Sequence, residues 1–261
     1  LHVDEIDSVV FICPDVSMVK DINSGSSSSN PSEFTVIGST LYFAANDGTN
    51  GYELWKSDGT AGGGTVMVKN INTASVGEQG WAYGVSDLTA VGNTLYFEAY
   101  DTTNGHALWK SNGTALSTVM VKDTWSEIAT SPLLSEFTVM GNTLYFQAYD
   151  PTNGFELWKS DGTATGTMMV KNIHGSSSSY PYKLTAVGNT LYFRADDGSN
   201  GYELWKSDGT TSGTVMVKDI YNGSGGSNPS DLTAVGNTLY FKANDGTNGV
   251  ELWKSDGTSS G

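Results

Sequence analysis

A chain of 261 residues has room for one large domain or two ordinary ones. Its 28 acids against 13 bases give a net charge of −15, which disfavours nucleic acid and anionic membranes, since both call for clustered Lys and Arg. Glycine takes 32 positions, charged residues are only 16%, and hydrophobic residues at 38% are enough for a core, which excludes wholesale disorder.

Residues 1–15 lie outside any repeat and are expected to form an N-terminal arm. A chain that begins at Leu1 and not at a methionine is expected to be a processed or excised one. The longest apolar run, Val9 to Cys13, suits a strand and falls far short of the ~18 residues of a membrane span. Cys13 is the sole cysteine, so no intrachain disulfide forms. It reads either as a small buried side chain or as the residue of an interchain link used in assembly.

From residue 16 onward the chain repeats. Leu-Trp-Lys recurs at Trp55, Trp109, Trp158, Trp205 and Trp253, spaced by 54, 49, 47 and 48 residues. Thr-Leu-Tyr-Phe recurs with its phenylalanine at Phe43, Phe97, Phe146, Phe193 and Phe241. A Val-Met-Val-Lys phrase or a near variant ends at Ile71, Thr124, Ile173 and Ile220, and Ser17 to Ile22 resembles it. Each unit holds four short β-forming runs separated by Gly-Asn, Asp-Gly-x-Asn-Gly and Ser-Asp-Gly-Thr turns. No stretch has helical periodicity.

Four antiparallel strands repeated every ~40–50 residues predict an all-β chain, a five-bladed β-propeller of four-stranded antiparallel blades. The blades are expected at about 33–71, 87–124, 136–173, 183–220 and 231–261. The last copy stops after its third strand, and Val16 to Ile22 is an orphan fourth strand. The expectation is one domain, 16–261, closed by that N-terminal strand completing the C-terminal blade.

Glu-Leu-Trp-Lys-Ser-Asp-Gly-Thr, at Glu53 to Thr60, Glu156 to Thr163, Glu203 to Thr210 and Glu251 to Thr258, resembles the ELWxxDGT repeat of secreted bacterial proteins. The second copy departs, with Ala107 for the Glu and Asn112 for the Asp. The resemblance covers nearly everything from residue 16 onward. It implies a propeller and a secreted, extracellular setting, and no established activity. Ser-Asp-Gly-Thr also resembles the Asp-box turns of sialidase propellers, which are structural. Sialidases need an arginine cluster, and this chain has only Arg194.

Nothing points to catalysis. His2, His106 and His174 share no repeat position, and no nucleophile elbow, phosphate loop or metal-type His/Cys spacing occurs. No enzyme and no cofactor are expected. Calcium is a weak candidate at the glycine-bent loops beginning at Asp47, Asp101, Asp150, Asp197 and Asp245, where turn capping is the competing reading. The repeated Trp reads as inter-blade core. The Glu two residues before it shares its side of the strand and needs a buried partner, and the neighbouring lysines read as that partner or as solvated rim. Asn112 and Asn222 head glycosylation sequons in turns.

The copies differ most in the connections between blades. These collect Trp81, Tyr83, Trp125, Tyr180, Tyr182 and Tyr221 among Ser, Asn and Asp. Aromatics beside amides and carboxylates suit sugars, whose ring faces stack while their hydroxyls hydrogen-bond. Five-bladed lectins of the tachylectin type are similar in architecture. The expected function is a non-catalytic, multivalent glycan-binding module on that face. The alternative is a structural or adhesive subunit of an extracellular matrix, sheath or filament, joined through the N-terminal arm. The expected partners are glycans or neighbouring extracellular subunits, with a homo-oligomer possible and no membrane insertion.

Overall fold

The computed structural model describes residues 16–61, 63–73, 84–124 and 134–258. These hold nineteen strands and no helix. Blade 1 contains β1 (Ser32–Ile37), β2 (Thr40–Asn46), β3 (Tyr52–Ser57) and β4 (Thr65–Lys69). Blade 2 contains β5 (Val85–Val91), β6 (Thr94–Asp101), β7 (Gly105–Ser111) and β8 (Val119–Lys122). Blade 3 contains β9 (Leu134–Met140), β10 (Thr143–Asp150), β11 (Gly154–Ser160) and β12 (Met168–Lys171). Blade 4 contains β13 (Tyr182–Val187), β14 (Thr190–Asp196), β15 (Tyr202–Ser207) and β16 (Val215–Lys218). Blade 5 contains β17 (Ser230–Val235), β18 (Thr238–Asn244) and β19 (Val250–Ser255).

Every sheet is an antiparallel meander in chain order. The first strands β1, β5, β9, β13 and β17 lie against one another in sequence, so the sheets fan out from a common line as propeller blades do. Each first strand carries a bulge at a non-glycine residue of positive φ: Glu33 (58°), Asp87 (55°), Glu136 (61°), Lys183 (60°) and Asp231 (53°). The extra residue bends the innermost strand without breaking the pairing on either side.

The alternation of the repeat explains the packing. In Leu-Tyr-Phe-x-Ala, Leu, Phe and Ala face the preceding blade, and Tyr faces the next. Phe97, Leu95 and Ala99 of blade 2 thus meet Tyr42, Leu54 and Val68 of blade 1, with Trp109 completing the layer. The same set recurs between blades 2 and 3, 3 and 4, and 4 and 5. Trp109, Trp158 and Trp205 are buried in these layers, as expected; Trp55 is buried against Phe43, Ala45 and Ile22 on the other side of blade 1, and Trp253 is only partly buried. A lysine from the preceding segment lies over four of the rings: Lys20 over Trp55, and the fourth-strand lysines Lys69 over Trp109, Lys122 over Trp158 and Lys171 over Trp205, at 5.6–5.9 Å.

Blade 5 differs. Its sheet has three strands, and residues 16–22, expected as its fourth, form no strand. Val16 and Met18 stand in solvent and find no ladder partner there, and an unpaired segment of that length has no reason to be extended. Leu54, Leu108, Leu157 and Leu204 are fully buried, whereas their blade 5 counterpart Leu252 is 75% exposed. Val235 and Val250 beside it are exposed too, as are Phe34 and Val36 on blade 1.

Candidate ligand-binding site

The repeated polar residues are structural. The carboxylates of Asp47, Asp101, Asp150, Asp197 and Asp245 each accept two amides of their own loop and the side-chain amide of its Asn. Asp47 gives 2.9 Å to Thr49 N and 2.7 Å to Asn50 N. Partial burial pushes the Asp47 and Asp197 carboxyls up, but these hydrogen bonds outweigh it and hold both below the usual range; the amides of Asn248 and Thr247 lower Asp245. The acceptors are thus committed to turn capping. Among the described residues no group of three or more His, Cys, Asp or Glu side chains is arranged to hold a metal ion.

In blades 1, 3 and 4 the strand glutamate ties the blade to its exit loop, whereas Glu251 of blade 5 is exposed. Glu53 accepts from Ile71 N and Asn72 N, both at 2.9 Å. Glu203 accepts from Ile220 N, Tyr221 N, Ser227 N and Ser227 Oγ. Burial pushes the Glu53 carboxyl up to about 7 despite the two amides. In blade 2, where Ala107 stands, a different carboxylate fills in: Glu98 accepts from Ser86 Oγ at 3.0 Å and Leu134 N at 3.3 Å and lies 3.4 Å from His106 Nδ1.

Eight of the repeat lysines pair with backbone carbonyls and not with glutamate, while Lys218 and Lys254 are exposed. In blades 1 to 4 the one following the Trp reaches the next blade's Asp-Gly-Thr turn: Lys56, Lys110, Lys159 and Lys206 donate to the carbonyls of Gly113, Gly162, Gly209 and Gly257. Fourth-strand Lys69, Lys122 and Lys171 donate to Thr118, Thr167 and Thr214 carbonyls in the same way, and Lys20 donates to Thr65 O at 3.0 Å.

What the repeat does not explain gathers between blades 3 and 4. A cavity of about 260 Å³ is lined by Gln147, Tyr180, Tyr182, Arg194 and Tyr202. Four of the five lining residues depart from their repeat equivalents; the fifth, Tyr202, matches Tyr52 of blade 1 and stands where blades 2, 3 and 5 have His106, Phe155 and Val250. The position of Tyr182 is Ser32, Ser86, Ser135 and Ser230 in the other blades. The position of Tyr180 is Asn30 and Asn228 in the two connections of like sequence, and all three have φ of 42–51°. Asn tolerates that conformation and Tyr does not, so blade 4 carries strain to place a phenol there. The Arg194 position is Ala44, Glu98, Gln147 and Lys242 elsewhere.

The pocket is held from beneath. Tyr180 stacks on Phe155 at 5.5 Å, and Phe155 meets Tyr149 edge-on at 5.1 Å. Gln147 donates to Pro181 O at 3.1 Å, fixing the turn between the two tyrosines. The guanidinium carbon of Arg194 lies 5.3 Å from the Tyr182 ring and 4.8 Å from the Tyr202 ring. Burial, then Asp196, raises the Tyr202 phenol. Tyr180 and Tyr182 remain 46% and 38% exposed, so their rings are available at the mouth.

Of the expected ligand residues, Tyr180 and Tyr182 come together here. Tyr221 does not: its ring packs over Gly225 and Gly246 and pins the loop between blades 4 and 5. Trp81, Tyr83, Trp125 and Cys13 lie outside the described residues. Asn112 and Asn222 are exposed, in a turn and a loop. Sequence reading missed Gln147, Arg194 and Tyr202 because it searched the connections, whereas these sit on strands. The signal was present in the columns of the repeat, where Arg194 replaces four other residue types.

No protein-family model matches the sequence, and neither does any curated protein. Solved structures do match in fold. A puromycin hydrolase superposes with a TM-score of 0.53 at 11% identity over 87% of this chain and 36% of its own. A prolyl endopeptidase gives 0.53 at 13% identity over 87% and 33%. The chain thus spans about a third of the length of these proteins. At such identity the likeness is one of fold alone. No helix among the described residues is long and apolar enough to cross a membrane.

Proposed function

We propose that the chain is a non-catalytic, secreted glycan-binding module of lectin type, and that its developed site is the cavity between blades 3 and 4. The observation that carries this reading is the convergence, beside Tyr202, of Tyr180, Tyr182, Arg194 and Gln147 at positions where other copies hold Ser, Asn and unrelated residues. Exposed phenol rings offer stacking faces, while their hydroxyls and the Gln147 amide offer hydrogen bonds. The site is copy-specific, so this reading gives one developed pocket and not five equal ones. A glycan array tests it: the wild-type chain binds a restricted set of glycans, and Tyr182→Ala abolishes that binding with the melting curve unchanged. An array silent for the folded wild-type chain overturns the reading.

We further propose that the five blades close into a ring, with residues 16–22 seated beside β19. Lys20 supports this, because it meets blade 1 as Lys69, Lys122 and Lys171 meet blades 2, 3 and 4. Closure buries Leu252, so Leu252→Asp is expected to destabilise the chain strongly. The alternative, a structural subunit of an extracellular assembly, draws on the same exposed faces of blades 1 and 5, which are able to join head-to-tail between copies. Sedimentation of Leu252→Asp separates them: a destabilised monomer supports closure, and a stable monomer derived from a wild-type oligomer supports assembly.

A further inference from the structure

We infer that the pocket between blades 3 and 4 selects a carboxylated sugar, a uronate or other acidic residue of a glycan; this rests on the glycan-binding reading above. The argument turns on charge. Arg194 is the only arginine in a chain with 28 acids, yet it takes part in no ion pair among the described residues. Its Nε is buried and has no hydrogen-bond partner. An unpaired guanidinium edge held between two aromatic rings is a preformed fork for a planar anion.

Comparison with blade 5 shows what neutralises the equivalent position when no ligand is needed. There Lys242 stands in place of Arg194, and it pairs with Asp231 at 2.5 Å. Asp231 sits at the left-handed bulge of its first strand, where blades 1, 2 and 3 have Glu33, Asp87 and Glu136. In blade 4 that bulge carries Lys183. The one acid able to neutralise Arg194 in the manner of blade 5 is therefore replaced by a second cation. Lys183 Nζ lies 4.5 Å from the Tyr182 ring, on which Arg194 also rests. Neither nearby acid pairs with Arg194: Asp196 accepts from Gly198 N at 2.7 Å, and Glu136 accepts from Lys183 N at 2.6 Å. One guanidinium, three phenols and an amide line the cavity, with a second cation, Lys183, against the Tyr182 ring, and this set fits a pyranose bearing a carboxylate. The ring face stacks on tyrosine, and the carboxylate meets the Arg194 fork.

Calorimetric titration with oligogalacturonate, a sulfated galactan and neutral galactan of the same length tests the inference. The acidic sugar is expected to bind at least ~10-fold more tightly than the neutral one, with affinity falling as salt rises. Arg194→Gln is expected to remove that preference, Arg194→Lys to restore it only in part, and Lys183→Glu to weaken it. Each variant's melting curve checks that it is folded. Equal affinity for neutral and acidic sugars, or preference for the sulfated one, overturns the carboxylate assignment and leaves the glycan reading standing. No binding in any arm, with Tyr182→Ala indistinguishable from wild type, overturns both.

Discussion

Gly59 and Gly209 occupy the same place in the Ser-Asp-Gly-Thr turn and have nearly the same backbone, φ 81° and 87°. They differ in what lies beyond them. A Cβ on Gly59 meets nothing within 4 Å, since no tyrosine of a neighbouring blade reaches it in this structure. A Cβ on Gly209 falls 2.1 Å from the Tyr145 hydroxyl and 3.2 Å from its Cζ. Alanine at Gly59 therefore bears only the left-handed backbone penalty, ~1 kcal/mol. Alanine at Gly209 bears the same penalty plus displacement of a buried ring, ~1–3 kcal/mol more. Gly59→Ala should lower the melting temperature by ~2–4 °C and Gly209→Ala by ~5–15 °C. Thermal and urea unfolding of both variants provide the comparison. Tyr145→Phe removes the nearest atom, so adding it to Gly209→Ala should recover part of the loss, read as a coupling energy in a double-mutant cycle. If Gly209→Ala costs no more than the backbone penalty, or Tyr145→Phe recovers nothing, the turn does not act as a seat for the neighbouring blade; equal, large losses at both glycines are the outcome of ring closure, with Tyr240 over Gly59.

Three further outcomes follow from the same geometry. Burial, reinforced by Glu98, Glu33 and Glu136, lifts the Asp87 carboxyl from 3.8 to about 7. Its folded pKa is raised, so the wild-type chain loses stability as pH rises from ~4 to ~7. Asp87→Asn, which also suits the left-handed backbone, should be more stable above pH 7 by ~1–2 kcal/mol after screening, with the advantage vanishing near pH 4; pH-dependent melts show whether it does. Lys159→Met removes the donor to Gly209 O (2.7 Å) and should destabilise by ~1–2 kcal/mol, measurable by urea titration. Calcium should leave the melting temperature of the wild-type chain unchanged, while Asp197→Ala should lower it by ~1 kcal/mol through loss of the cap; a calcium-dependent rise would return those loops to candidacy as metal sites.

Much of the fold was legible because the repeat states it five times. The Trp and Phe positions, the strands and the turn aspartates all follow from period-two alternation and from Gly and Asp chemistry. The roles of the lysines were not legible, because donating to a carbonyl ~50 residues away leaves no mark in local sequence. The residues 16–22 resemble a fourth strand in composition but form none, since a strand exists only through pairing, and pairing is a property of the neighbour. At the candidate site, Tyr180 and Tyr182 stood out as aromatics in a Ser-rich connection. Arg194 was visible as the sole arginine, but its meaning depends on Lys183 occupying the place that an acid holds in the other four blades. That comparison needs the bulge register, which the structure supplies.

The lysine and tyrosine latches all point one way. In every pair the earlier blade contributes the reaching side chain and the later blade the glycine or carbonyl that receives it. The stack therefore has a direction that coincides with the direction of synthesis. The two ends of the stack are thus chemically unlike: the earlier end offers turns that receive, and the later end offers side chains that reach.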